Sequence, residues 1–139
     1  MKREILFRGK CEQTREWKYG FYAMQSFGCG FSPAIIQFNG GSTMPVKIDE
    51  NTLGQYTGLK DCKGQMIFED DIVKISITGM DVDFESKTEI FIAKIHYSNG
   101  SFWFTGGGRT DCNWHFYNES DIEVIGNLTD NPDLLKETA

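Results

Sequence analysis

A chain of 139 residues has the length of one domain, and 40% hydrophobic with 14% aromatic residues excludes a disordered tail. A formal charge of −6 disfavours a generic binder of phosphate backbones. No apolar run is long enough to span a membrane, and the N-terminal MKREILFRGK is basic but lacks the apolar stretch of a secretion signal. The expectation is a soluble protein of the cytoplasm.

In chain order, residues 3–8 (REILFR) read as a first strand and 9–16 as a loop. Residues 16–25 (EWKYGFYAMQ) read as an aromatic-rich strand carrying Gly20. The Gly-rich SFGCGFS at 26–32 is a loop, PAIIQF at 33–38 a short strand, and NGG at 39–41 a turn. MPVKID at 44–49 is a further strand, after which Asp49 can cap one helical turn in ENTLGQ.

Asp61 and Gly64 bracket a tight turn, and Met66, Ile67 and Phe68 lead into three acids, Glu69, Asp70 and Asp71. Strict alternation marks 71–79 (DIVKISITG) as a strand, with Val73, Ile75 and Ile77 toward the core and Ile72, Lys74, Ser76 and Thr78 on the opposite face. An acidic loop at 79–87 leads to EIFIAKIHY, 89–97, which alternates again. SNGS at 98–101 is a hairpin turn, and FWF at 102–104 is the returning strand. GGGRTD, 106–111, reads as a second loop. CNWHFY, 112–117, is a short aromatic segment, IEVIGNL, 122–128, the last strand, and NPDLLKE, 131–137, a tail with one or two helical turns. Short strands joined by Gly and Asn turns predict a mainly β fold. Its parts are an N-terminal β-rich extension (1–54), a small β-barrel (55–128) and a C-terminal tail (129–139).

The three acids are the first candidates for chemistry. Adjacent strand residues face opposite ways, so Asp70 and Asp71 cannot serve one substrate from within a strand. General acid–base work also needs a second pole that the local sequence lacks. Acids at a strand entry more often hold backbone N–H groups at a turn. Cys112 and His115 stand three apart, on opposite faces of a strand, with no oxyanion motif beside them. The loop 106–109 lacks the Lys and Ser/Thr of a phosphate loop. The four cysteines (11, 29, 62 and 112) form no CxxC pair, and neither they nor the two histidines fall at zinc-ligand spacing. The expectation is therefore no enzyme, no metal and no cofactor.

A contact surface is the better candidate. Trp103, Trp114, Phe102, Phe104, Phe116 and Tyr117 crowd together, and alternation turns some of them outward unless they are covered. Trp103, Arg109, Trp114, His115 and Tyr117 are the candidate partner-binding residues. Charge is also split: residues 1–48 carry 7 Lys/Arg against 3 Asp/Glu (+4), while residues 49–139 carry 7 against 17 (−10). Such a split favours a homo-oligomer, or another protein as partner. The alternative is nucleic-acid association through the basic third, or an acidic mimic of nucleic acid.

Several motifs together resemble the YopX family of phage and prophage proteins. They are Gln55-Tyr56-Thr57-Gly58-Leu59-Lys60-Asp61, Gly64 with Ile67, Glu69, Asp71-Ile72-Val73, Ile125-Gly126-Asn127 and Asn131-Pro132-Asp133-Leu134-Leu135. Arg3–Arg8 is similar to the family's first strand. The resemblance implies a Src-homology-3-like barrel with an N-terminal extension, and a small protein encoded on temperate phages of Gram-positive bacteria. It implies no particular activity and carries over no catalytic residue. On that resemblance a protein partner is a host or phage protein, and the target of an acidic mimic is a host factor. Asp61, Gly64, Glu69, Asp70, Asp71, Gly126, Asn127, Asn131 and Pro132 are then structural turn residues. The family pattern reads acid-Gly-Asp where this chain has Glu69-Asp70-Asp71. Asp70 is thus expected in a left-handed turn position normally held by Gly.

Overall fold

The computed structural model describes residues 4–28, 30–37, 44–80, 86–106, 109–113 and 121–136, with backbone alone at 77–80, 86–89, 106, 109–113 and 136. The fold is mainly β. Its strands are β1 (Phe7–Lys10), β2 (Trp17–Ser26), β3 (Phe31–Ile36), β4 (Pro45–Lys47), β5 (Gly54–Lys60), β6 (Met66–Phe68), β7 (Asp71–Met80), β8 (Ser86–Ser98), β9 (Ser101–Gly106), β10 (Arg109–Asn113) and β11 (Ile122–Asn127). A 3-10 turn, Glu50–Thr52, precedes β5, and a helical turn, α1 (Asp133–Lys136), follows β11. Two antiparallel sheets have the orders β4-β3-β2-β1-β5-β6 and β10-β9-β8-β7-β11. The chain divides into two compact units, Met1–Gly58 and Leu59–Ala139.

In the N-terminal unit the first strand lies later than the alternation of 3–8 suggests. The Leu6 carbonyl is taken by the Tyr56 N–H, while Gly9 and Lys10, read as loop, pair with Lys18 and Trp17. The Arg8 guanidinium, itself buried, lies 4.6 Å from the centre of the Trp17 ring, and the Lys10 ammonium lies 5.4 Å from it. Cation and ring stabilise each other there. Asp49 caps the 3-10 turn: its Oδ1 accepts from the Asn51 N–H at 3.1 Å and its Oδ2 meets Arg15 at 3.1 Å. Strand β5 was hidden in the sequence by Gly58, which sits at φ +90 within it.

The C-terminal unit packs Ile67, Val73, Ile75, Ala93, Ile95, Phe104 and Ile122 into one core, with Leu59, Phe102 and Val124 at its margin. The hairpin at 98–101 turns on Asn99 (φ +51) and Gly100 (φ +80), the geometry a two-residue hairpin requires. Arg109–Asp111, read as loop, belongs to β10, in which Arg109 pairs with Gly106 of β9 and the register shifts before Cys112. Among the described residues the second sheet is open, with β10 and β11 at its edges. The outer edge of β11 is held by the 61–65 turn: the Cys62 N–H donates to the Ile122 carbonyl at 2.9 Å and the Val124 N–H to Asp61 Oδ2 at 3.0 Å.

Ile72 corrects the alternation argument, because it is as fully buried as Val73 on the opposite face. It stands opposite Gly126 in the β7–β11 register, and Leu134 of the α1 turn lies over Gly126. A Cβ at Gly126 would come within 2.6 Å of Asn131 Oδ1 and 2.9 Å of Leu134 Cδ1. Gly126 thus lets the tail lie on the sheet. Asn127 and Asn131 tie it down: the Asn131 N–H donates to the Asn127 carbonyl at 2.8 Å, and the Asn127 N–H to Asn131 Oδ1 at 3.2 Å.

Candidate contact surface

The acids of the central motif are engaged as corners. Asp61, 5% exposed, accepts the N–H groups of Lys63 and Gln65 on Oδ1 (both 2.9 Å) and that of Val124 on Oδ2. Burial pushes this carboxyl up, but the three N–H donors and the nearby Lys63 outweigh it and hold the pKa below the ordinary carboxylate value. Gly64, at φ +80, closes the turn by donating to the Asp61 carbonyl at 3.0 Å. Asp71 is buried, and its Oδ2 accepts from the Phe68 N–H at 2.7 Å. Asp70 sits at φ +65 in the left-handed region. Its N–H donates to the Ile95 carbonyl and its carbonyl accepts from the Leu128 N–H, both at 2.8 Å. Glu69 is half-buried beside it in the same turn. Pro132 lies exposed in the turn before α1.

The backbone strain at Asp70 makes a direct prediction. Asp70→Gly relieves a left-handed residue, offset in part by extra freedom of the unfolded chain, and is expected to stabilise by about 0.5–1 kcal/mol. Urea unfolding reads this as a higher midpoint. A lower midpoint would mean that the Asp70 side chain contributes more than the strain costs.

The five candidate partner-binding residues are not gathered into one site by the described residues. Trp103 is half-buried in β9, and its indole N–H donates to the Ser98 carbonyl at 2.8 Å. Beside it on that face, His96 Nδ1 and Thr105 Oγ1 are 2.6 Å apart. Arg109 begins β10 opposite Gly106, described by its backbone alone. Trp114, His115 and Tyr117, with Phe116, lie outside the described residues.

Most of the exposed large apolar side chains among the described residues belong to the N-terminal unit, with Ile90, Tyr97 and Ile125 exposed in the C-terminal unit. Tyr19, Phe21, Tyr22, Met24, Phe27, Phe31 and Met44 are all exposed, with Phe31 and Met44 at 74%. A residue pair facing each other across two strands shares one face, so Tyr22, Met24 and Phe31 form one strip and Tyr19 and Phe21 lie on the other side. A sequence signal for this surface exists. From Tyr19 to Val46 there is no Asp, Glu, Lys, Arg or His, in a chain that is 24% charged. The same unit holds a cleft of about 480 Å³ lined by Cys11, Glu12, Gln13, Phe27, Pro45, Val46 and Lys47. The Thr14 hydroxyl and backbone hold the Cys11 thiol below its ordinary pKa, against a smaller opposing effect of burial.

No helix among the described residues is long and apolar enough to cross a membrane. No curated protein matches the chain. Among solved structures, the chain is similar to protein EF1440 from Enterococcus faecalis, with 21% identity and a TM-score of 0.55 over 96% of this chain and 99% of that one. At that identity the likeness shows a shared fold alone. The family described as YopX protein matches residues 6–136. That match covers every corner motif described above, and the chain belongs to the YopX family.

Proposed function

We propose that this protein is a phage- or prophage-encoded accessory protein of the host cytoplasm that works as a non-enzymatic binding or assembly module. One observation carries the reading: the charge-free stretch from Tyr19 to Val46 displays seven large apolar side chains at the surface. Exposed apolar side chains gathered on one sheet face, as Tyr22, Met24 and Phe31 are, belong to contact sites. The engagement of Asp61 and Asp71 by backbone N–H groups supports a structural rather than a chemical role for the family's acids. Within this reading the C-terminal unit is a Src-homology-3-like barrel, supported by its five antiparallel strands, tight turns and single core.

A second reading, nucleic-acid association, is favoured by the other face of the first sheet. Exposed Tyr19 and Phe21 share it with Arg8, Lys10 and Trp17, a mixture of rings and cations suited to a single strand.

Affinity capture from host lysate, with and without nuclease, separates the two. A protein retained after nuclease by the wild type, or self-association of the wild type, and loss of either in Phe31→Glu, is the expected result. Recovery that vanishes with nuclease turns the reading to nucleic acid. Absence of both capture and self-association overturns it.

A further inference from the structure

The backbone of β2 carries a more specific message than its exposed side chains. Strand β1 pairs with β2 only from Trp17 to Gly20, although β2 continues to Ser26. Beyond Gly20, β3 is the strand that pairs with β2 among the described residues. Which groups point to the other side follows from the ladder. Antiparallel pairs alternate between those that exchange N–H···O bonds and those that do not. Met24 faces Pro33, which has no N–H, so that pair is of the second kind. The hairpin end agrees: the Phe27 N–H donates to the Gly30 carbonyl, and counting back three pairs reaches Met24–Pro33 as a non-bonded pair. The N–H and C=O groups of Tyr22, Met24 and Ser26 therefore point away from β3, where no strand pairs with them among the described residues.

Proteins usually protect such an edge with a charge, a proline or a covering loop. The neighbouring edges carry these devices. Strand β3 has Pro33 with its carbonyl taken by the Ile48 N–H at 3.1 Å, and β4 is three residues long and opens on Pro45. Among the described residues the edge of β2 carries none of them. It reads Tyr22-Ala23-Met24-Gln25-Ser26 inside the charge-free stretch, with Tyr22 and Met24 exposed.

We infer that the open edge of β2 pairs with the same edge of a second copy of this chain, in antiparallel register about a two-fold axis at Met24. This rests on the reading of the N-terminal sheet as a contact surface and names its occupant. The edge is self-complementary. With the axis at Met24, Tyr22 meets Ser26 of the second copy and Met24 meets its counterpart. Every outward N–H then finds an outward C=O, six bonds in all for three residues per copy. Charge points the same way. Two chains that each carry −6 repel as wholes, and residues 19–46 are where they can approach without like charges in contact. The apolar area is modest. Tyr22 and Met24 at the edge, with Phe31 on the same face, fall well short of the roughly 800 Å² per partner of a standard interface. A dimer that dissociates on dilution is the consequence.

Light scattering over a dilution series of the full chain tests this, with Met24→Pro and Met24→Lys as variants. Proline at 24 removes only an N–H that the hairpin does not use, whereas lysine adds the missing edge charge. The wild type is expected to dimerise, and Met24→Pro to weaken dimerisation about 10- to 30-fold, since it removes two bonds at the axis. Circular dichroism checks that each variant folds, and Met24→Lys decides if Met24→Pro does not. Amide exchange at Tyr22, Met24 and Ser26 should slow on dimerisation while Ala23 and Gln25 stay unchanged. A dimer that both variants leave intact overturns the inference but keeps the contact-surface reading. A monomer at every concentration that still captures a partner through Phe31 does the same, and a monomer that captures nothing overturns both.

Discussion

Asp61→Ala is expected to lower the unfolding free energy by about 3 kcal/mol. The Asp61 carboxylate is 5% exposed and accepts three backbone N–H bonds, two within its own turn and one from Val124 on β11. Bonds to a charged acceptor are worth more than neutral ones, and truncation leaves the donors without it. Water can reach the turn donors at exposed Lys63 and Gln65, so the loss stays well below three times a single bond. The Val124 bond also ties the turn to the edge of the second sheet, where Cys62 makes a further bond to Ile122. Urea unfolding should show a lower midpoint with unchanged slope. A loss under about 0.5 kcal/mol would show that the corner is held by its other contacts.

The same residue imposes a pH dependence. Its folded pKa lies below the unfolded value, so the unfolded chain binds the proton more readily. The stabilisation is fully present above the unfolded pKa of about 3.9 and is lost as pH falls through the lower folded value. Asp61→Asn keeps the volume but not the titration, so its stability should fall less steeply than the wild type's below about pH 4. Parallel acid limbs for the two proteins would locate the acid sensitivity elsewhere.

Gly20→Ala is the second large effect, about 3 kcal/mol, and it falls on the N-terminal unit. A Cβ there would stand 2.1 Å from the Ile36 carbonyl oxygen, 2.9 Å from its carbon and 3.2 Å from Ile35 Cγ2. The first two are backbone atoms that no rotamer change can move, so β2 and β3 have to part beside the Phe21–Ile36 pair. The damage should be local to that unit. Amide exchange should quicken across β1 to β4 before the C-terminal core at Ile75, Ile95 and Phe104 responds. Uniform loss of protection would mean that the two units unfold as one.

Local features were legible where short-range chemistry decides them. Asn99-Gly100 turns the hairpin because two adjacent residues must take positive φ there. The core face of β7 was readable at Val73 and Ile75 because alternation points them one way. The left-handed Asp70 was legible as a departure from a family glycine. The candidate contact residues were harder. The densest aromatic segment, 102–117, drew attention, yet Phe104 lies in the core and Trp103 is bonded to Ser98. The exposed aromatic residues of the N-terminal unit instead occupy a stretch whose clearest mark is a missing residue class, its lack of charge.

What the residues determined alone was the core face of β7 at Val73 and Ile75, the hairpin turn at 98–101, the capping by Asp49 and the family. What only the tertiary structure decided was which faces and edges are covered. Ile72 is buried because a tail more than fifty residues later lies across Gly126 opposite it. Beyond Gly20 the edge of β2 has no strand beside it among the described residues, because β1 begins only at Phe7, opposite Gly20. Burial and strand pairing are relations between distant segments, and no local pattern of side chains contains them.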